Sequence, residues 1–244
     1  MTIPTYLPYF VFAGTAATLL AILYGLNRAL ADAAWPVADR TRAFRVSAVV
    51  LLGWLAVSIA LAAMGAYHVD ASAIPTMQYG IVIPILIGIL LIWQSETVAR
   101  IIDAVPQQWL VGVQLYRALG VIFIILYATG KLPGLFAWPA GVGDIAIGLL
   151  APVVGFAYAR APSDTAGLVQ AWNVFGILDL VVAVTTGFMT APSLLQPIEV
   201  QPNSDLMTVL PMVLIPVYLV PLFIVLHLAS LAKLHRSGDV MVHA

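Results

Sequence analysis

Three ionisable side chains stand inside stretches that are otherwise apolar. Arg117 lies in Val113-Gln-Leu-Tyr-Arg-Ala-Leu-Gly120, Asp144 in Gly141-Val-Gly-Asp-Ile-Ala-Ile-Gly148, and Asp179 in Gly176-Ile-Leu-Asp-Leu. An ionisable group at the centre of a bilayer costs roughly 2.5–3.5 kcal/mol on insertion scales, so such groups turn to the bundle interior and find partners. A fixed cation beside two carboxyls can serve two purposes. It can pin three helices together as an ion pair, or it can work on protons. One arginine cannot neutralise two carboxylates, and in a low dielectric the second carboxyl tends to keep a proton that it can exchange. That arrangement is the elementary part of proton-coupled transport or of a pH gate. Gln114, three residues before Arg117, sits on a neighbouring part of the same helical face.

Other polar side chains could line a path beside this cluster: Gln170, Trp172 and Asn173 before Asp179, and Thr208 and Tyr218 in the last apolar stretch. His68 and His227 are expected at opposite ends of their spans, about 30 Å apart at 1.5 Å per residue, so they cannot clamp one haem between them. His227 reads as a histidine anchored near the inner interface, with single axial ligation left open. His235 and His243 belong to the carboxyl-terminal tail. With no cysteine in the chain, thiolate metal sites, Fe–S clusters and cysteine nucleophiles are excluded. Lys131 and Lys233 fall at span ends, so a retinal-type Schiff base has no lysine at mid-membrane. There is no Walker loop, zincin helix or serine elbow. No metal and no cofactor, neither haem nor carotenoid, is expected.

Elements that could position these groups follow from composition. Hydrophobic residues are 62% of the chain and charged ones 9%, and mean hydropathy is +1.04. A soluble fold usually carries about a quarter charged residues, so lipid is the expected solvent. A net charge of -1 excludes the basic footprint of a nucleic-acid binder. About 20 apolar residues cross a bilayer as helix, and seven stretches qualify: 7–30, 44–67, 75–94, 108–129, 138–160, 168–190 and 206–234. The expectation is an all-α, seven-helix transmembrane domain over 1–236 with a short tail over 237–244. Pro84, Pro152, Pro211, Pro216 and Pro221 should bend several spans. The first residues lack a basic leader region, so the first span is expected to remain as a helix.

Basic residues set the orientation. With the amino terminus outside, Arg28, Arg40, Arg42, Arg45, Arg100, Arg160, Lys233 and Arg236 are cytoplasmic, and only Lys131 is external. Tyrosines and tryptophans cluster near both boundaries, as interfacial anchors do. Residues 95–105 begin with a candidate N-cap, Ser95, and repeat Val98, Ile101, Ile102 and Val105 at helical spacing. This segment reads either as an amphipathic helix on the cytoplasmic surface or as a continuation of the third span. On the fifth span Ala140, Gly141, Asp144, Gly148, Ala151 and Gly155 form a small-residue stripe. On the sixth, Trp172, Gly176, Asp179, Ala183 and Thr186 share a side, so both aspartates should lie on helix interfaces. The local patterns around them fit either a relic of an inverted repeat or similar packing demands.

The function these residues favour is a permease or channel for a small solute or ion, coupled to protons through Asp144 and Asp179. The competing reading is a non-catalytic membrane subunit or cofactor-holding scaffold, a homo-oligomer or a partner of another membrane protein, in which the cluster is a structural lock. An intramembrane enzyme has no assembled acid, base and nucleophile to recommend it. The expected location is the cytoplasmic membrane of a bacterium, with the lipid bilayer as the first partner.

Overall fold

The computed structural model describes residues 3–68, 74–193 and 197–242, with side chains of the last helix described to Ser237. His243 lies outside the described residues. Among the described residues there is no strand. The helices are α1 (Leu7–Asp32), α2 (Val37–Ala63), α3 (Met77–Gln94), α4 (Glu96–Ala104), α5 (Gln107–Gly112), α6 (Val121–Ala128), α7 (Gly134–Arg160), α8 (Pro162–Thr190) and α9 (Val220–Val242). A 3-10 segment, Val113–Gly120, joins α5 to α6, so that Gln107–Ala128 acts as one span. Among the described residues, seven helical stretches are long and apolar enough to cross a membrane. α1 begins at one end of the bundle, the amino end. The arginines at the end of α1, the start of α2, in α4 and at the end of α7 gather at the other, the basic end.

The bundle is inside out relative to a soluble protein. Leu149, Val153, Phe156, Phe175 and Leu178 are exposed, while Arg117, Gln114, Asn173, His227 and Ser230 are buried. Polar groups that cannot be satisfied by lipid must be satisfied by one another, which concentrates them at the centre. α7 is the organising helix and packs most extensively against α8 and the 3-10 segment. Its glycines at 141, 148 and 155 recur every seven residues and meet Ile124, the backbone of Ala118 and the backbone of Gln108 in turn. A Cβ at Gly148 would stand 2.4 Å from the Ala118 nitrogen, so α7 rides directly on the backbone of its neighbour.

Two departures from regular α-helix matter for the interior. The 3-10 segment has three residues per turn, so Gln114, Arg117 and Gly120 stack in one line, and all three are buried. Near the carboxyl end the seventh span starts later than expected, at Ile215 rather than 206, because 205–214 is a 3-10 turn followed by irregular turns. Pro211, Pro216 and Pro221 each lack the N–H that would continue a regular ladder. The chain resolves this with a wider π-turn at Ile215–Leu219 before α9 begins.

α4 is a separate helix, not a continuation of α3. Ser95 is extended, and its hydroxyl accepts a 3.3 Å hydrogen bond from the Val98 N–H. Its far end is held by α9: Lys233 Nζ donates to the carbonyls of Ile102, Asp103 and Val105 at 3.3, 2.7 and 2.6 Å. Arg236 reaches the Asp103 carboxylate at 2.8 Å.

Candidate functional site

Arg117 leaves the 3-10 segment with its side chain 0% exposed and finds an acceptor for every nitrogen. Nε donates to Asp144 Oδ1 at 2.8 Å, and Nη1 donates to the Gly176 carbonyl at 3.0 Å. Nη2 donates to Asp179 Oδ2. Nη1 also lies 3.2 Å from His227 Nε2. A guanidinium can only donate, so His227 Nε2 accepts and the ring carries its proton on Nδ1. That proton is donated to Asn173 Oδ1 at 2.8 Å. Asn173 Nδ2 in turn donates to Ser230 Oγ at 2.8 Å, and Gln107 Nε2 donates to the same hydroxyl at 2.5 Å. A buried chain of hydrogen bonds therefore runs from the two aspartates to Gln107, joining α5, the 3-10 segment, α7, α8 and α9.

The space for this network is cut by glycines. A Cβ at Gly143 would meet Asp179 Oδ1 at 1.6 Å, and one at Gly176 would meet His227 Cε1 at 2.4 Å. Gly176 thus supplies a carbonyl to Arg117 and vacant space to His227 at once. Because the Asp179 carboxylate leans across Gly143, it reaches Arg117 from α8 over the face of α7. The residues bring a net charge of -1 if both carboxyls ionise. The line from Arg117 onward passes through an imidazole and a hydroxyl, but also through a guanidinium and two carboxamides, which do not give up and regain a proton readily. A proton reaching the aspartates must come by another way.

That other way is narrow. The side chains of Asp144 and Asp179 are 14% and 15% exposed. Asp144 borders two small cavities, of about 40 and 50 Å³. The first runs towards Ser204 and Met207 at the amino end, and the second lies against Thr15 and Thr18 of α1. Both threonine hydroxyls are spent on their own helix, donating to the carbonyls of Val11 and Gly14 at 2.8 Å. A water needs roughly 10–15 Å³ of such space, so each cavity has room for only a few.

Of the residues singled out in the sequence, Arg117, Asp144, Asp179, Asn173 and His227 meet in the network. Gln114 stands beside it, and its Nε2 donates to the Phe223 carbonyl at 3.2 Å. Trp172 packs its ring 5.0 Å from that of His227. Three others lie elsewhere. Gln170 is exposed, Thr208 Oγ1 donates to the Asp205 carbonyl at 2.8 Å, and Tyr218 Oη donates to the Leu51 carbonyl of α2 at 3.1 Å. His227 corrects an expectation: it is fully buried at the network rather than anchored at an interface. The reason is the late start of the last span, which moves His227 from its far end to its middle. Gln107 and Ser230 were missed. Ser230 follows His227 by three positions, the spacing that places two polar groups on one helical face.

The model of the family described as Domain of unknown function (DUF8737) matches residues 74–235, well over half of the chain, and the chain belongs to that family. The matched region begins after α2 and contains the whole network. No curated protein and no solved structure matches the chain.

Proposed function

We propose that this member of the DUF8737 family is an integral membrane protein, amino terminus outside, that acts as a non-catalytic scaffold subunit with its α5-to-α9 core locked by Arg117. The observation that carries this reading is the saturation of the guanidinium, with no exposed side-chain surface. A solute path would need a wider opening than the small cavities beside Asp144, although Gln107 Oε1, Gln114 Oε1 and Trp172 Nε1 are buried without a partner. Insertion is supported by the seven long apolar helices, and orientation by the excess of arginine at the basic end.

Removing one partner of a buried ion pair costs about 3–5 kcal/mol, because a charge is left uncompensated, whereas replacing all partners can be nearly neutral. Arg117→Met is therefore expected to lower the unfolding free energy by about 3–5 kcal/mol. The triple variant Arg117→Met/Asp144→Asn/Asp179→Asn should recover most of that loss. Unfolding by SDS titration in mixed micelles reads both. A triple variant no more stable than Arg117→Met would show that the cost lies in packing and not in charge.

A proton-coupled permease for a small ion or solute is the second reading, favoured by the partial exposure of both aspartates. Asparagine at either position keeps an acceptor for Arg117 and removes the exchangeable proton. On the scaffold reading, vesicles holding the wild-type protein keep an imposed pH gradient as long as empty vesicles do. Dissipation by the wild type that Asp144→Asn or Asp179→Asn abolishes, with stability unchanged, would put the permease in its place.

A further inference from the structure

A cavity much larger than those beside Asp144 lies away from the network. It is a crevice of about 730 Å³ between α2 and the helices α1, α3, α4, α5 and α9, within the range of roughly 300–1,000 Å³ usual for ligand sites. Its two ends differ in chemistry. The mouth, at the basic end, holds Trp35, Asp39, Arg42, Ser95, Thr97 and Arg100. The depth is apolar, with Val50 and Leu51 of α2, Leu91 of α3 and Leu222 and Leu226 of α9. Such walls offer water no partners, and hydrocarbon is their complement.

Dimensions and charge narrow the occupant. Arg42 at the mouth and Leu51 in the depth are nine positions apart on α2, about 14 Å along a helix. The hydrocarbon core of a bilayer is about 30 Å thick, so the crevice is one leaflet deep. Val46, Val50 and Leu91 are 56%, 55% and 43% exposed, which leaves it open sideways, where lipid chains lie. At the mouth two arginines face one aspartate. Arg100 stacks its guanidinium 4.7 Å over the Trp35 ring. Neither Arg42 nor Arg100 forms an ion pair with a carboxylate among the described residues.

We infer that the crevice between α2 and the α3–α4–α9 wall binds an anionic glycerophospholipid of the surrounding bilayer, one acyl chain in the cavity and the phosphate on Arg42 and Arg100. Basic pockets between membrane helices are suited to such headgroups. The site rests on the chain spanning a membrane and is independent of what the Arg117 network does.

The test uses the full chain, purified in detergent, with phosphatidylglycerol and phosphatidylcholine of identical acyl chains as probes and native mass spectrometry as the readout. Phosphatidylglycerol should be retained on the order of tenfold better than phosphatidylcholine, and Arg42→Gln/Arg100→Gln should erase that preference. Val50→Trp, on an exposed face and aimed at filling the crevice, should reduce retention of both lipids while leaving the melting temperature unchanged. Equal retention of the two lipids would overturn the proposal, as would a preference that survives the double arginine variant. Inorganic phosphate at millimolar concentration should not compete. Full competition would mean an anion site without a lipid chain, and would also overturn it.

Discussion

At the scale of single residues, the network depends as much on what is missing as on what is present. Gly176 carries no side chain, and the space a Cβ there would fill is taken by the His227 ring where it accepts from Arg117. Gly176→Ala is thus expected to force His227 away and to destabilise the protein, since inserting a methyl into a packed interior costs typically about 1–3 kcal/mol. Gly53, in α2, has nothing within 4 Å of the same added atom. Gly53→Ala should be neutral or stabilising by about 0.5–1 kcal/mol through helix propensity. Paired melting curves of the two variants test the contrast, and equal losses would mean that the gap at Gly176 is not used. Arg117, Asp144 and Asp179 could be read from the sequence because a charge in an apolar run has few explanations. His227, Gln107 and Ser230 were harder to read, because neutral polar residues are common at span ends and only their true depth makes them significant.

At the scale of elements, six of the seven spans follow from length and hydropathy, since a stretch of about 20 apolar residues in lipid has little choice but helix. The seventh follows too, but not its start, because three prolines make its first turns irregular, and hydropathy does not register a missing N–H. The 3-10 segment was likewise invisible: no residue type in it marks a tighter turn, and it lies packed against α7. α4 shows the reverse case, in which a cap and a period were enough to define a helix but not what holds it. Lys233 has three donors and meets three carbonyls at the end of α4, where a cation also suits the helix dipole. Lys233→Met should fray that end, raising hydrogen exchange at the amides of residues 98–105 with a global loss of only about 1 kcal/mol. Arg236→Gln, which breaks a more exposed pair with Asp103, should change exchange there much less. If both variants exchange like the wild type, α4 is held by its apolar face alone.

At the scale of the whole molecule, the same charge asymmetry from which the orientation is proposed also bears on the interior. The arginines of α1, α2, α4 and α7 sit at one end, so the lipid crevice opens towards that leaflet and the buried Gln107 end of the network lies on the same side. The cavity beside Asp144 that runs to Ser204 points to the other. If the basic end is cytoplasmic, anionic headgroups of the inner leaflet meet Arg42 and Arg100, and the aspartates have their narrow access from outside. The orientation is directly testable because the chain has no cysteine of its own. Thr5 lies at the amino end and Ser163 in the first turn of α8 at the basic end, both exposed. In intact cells a membrane-impermeant maleimide should label Thr5→Cys and leave Ser163→Cys unmodified until the membrane is permeabilised. The opposite pattern would turn the bundle over, placing the arginines outside and the access to Asp144 on the cytoplasmic side. Labelling of both without permeabilisation would contradict an odd number of crossings between them, and with it the reading of Gln107–Ala128 as a single span.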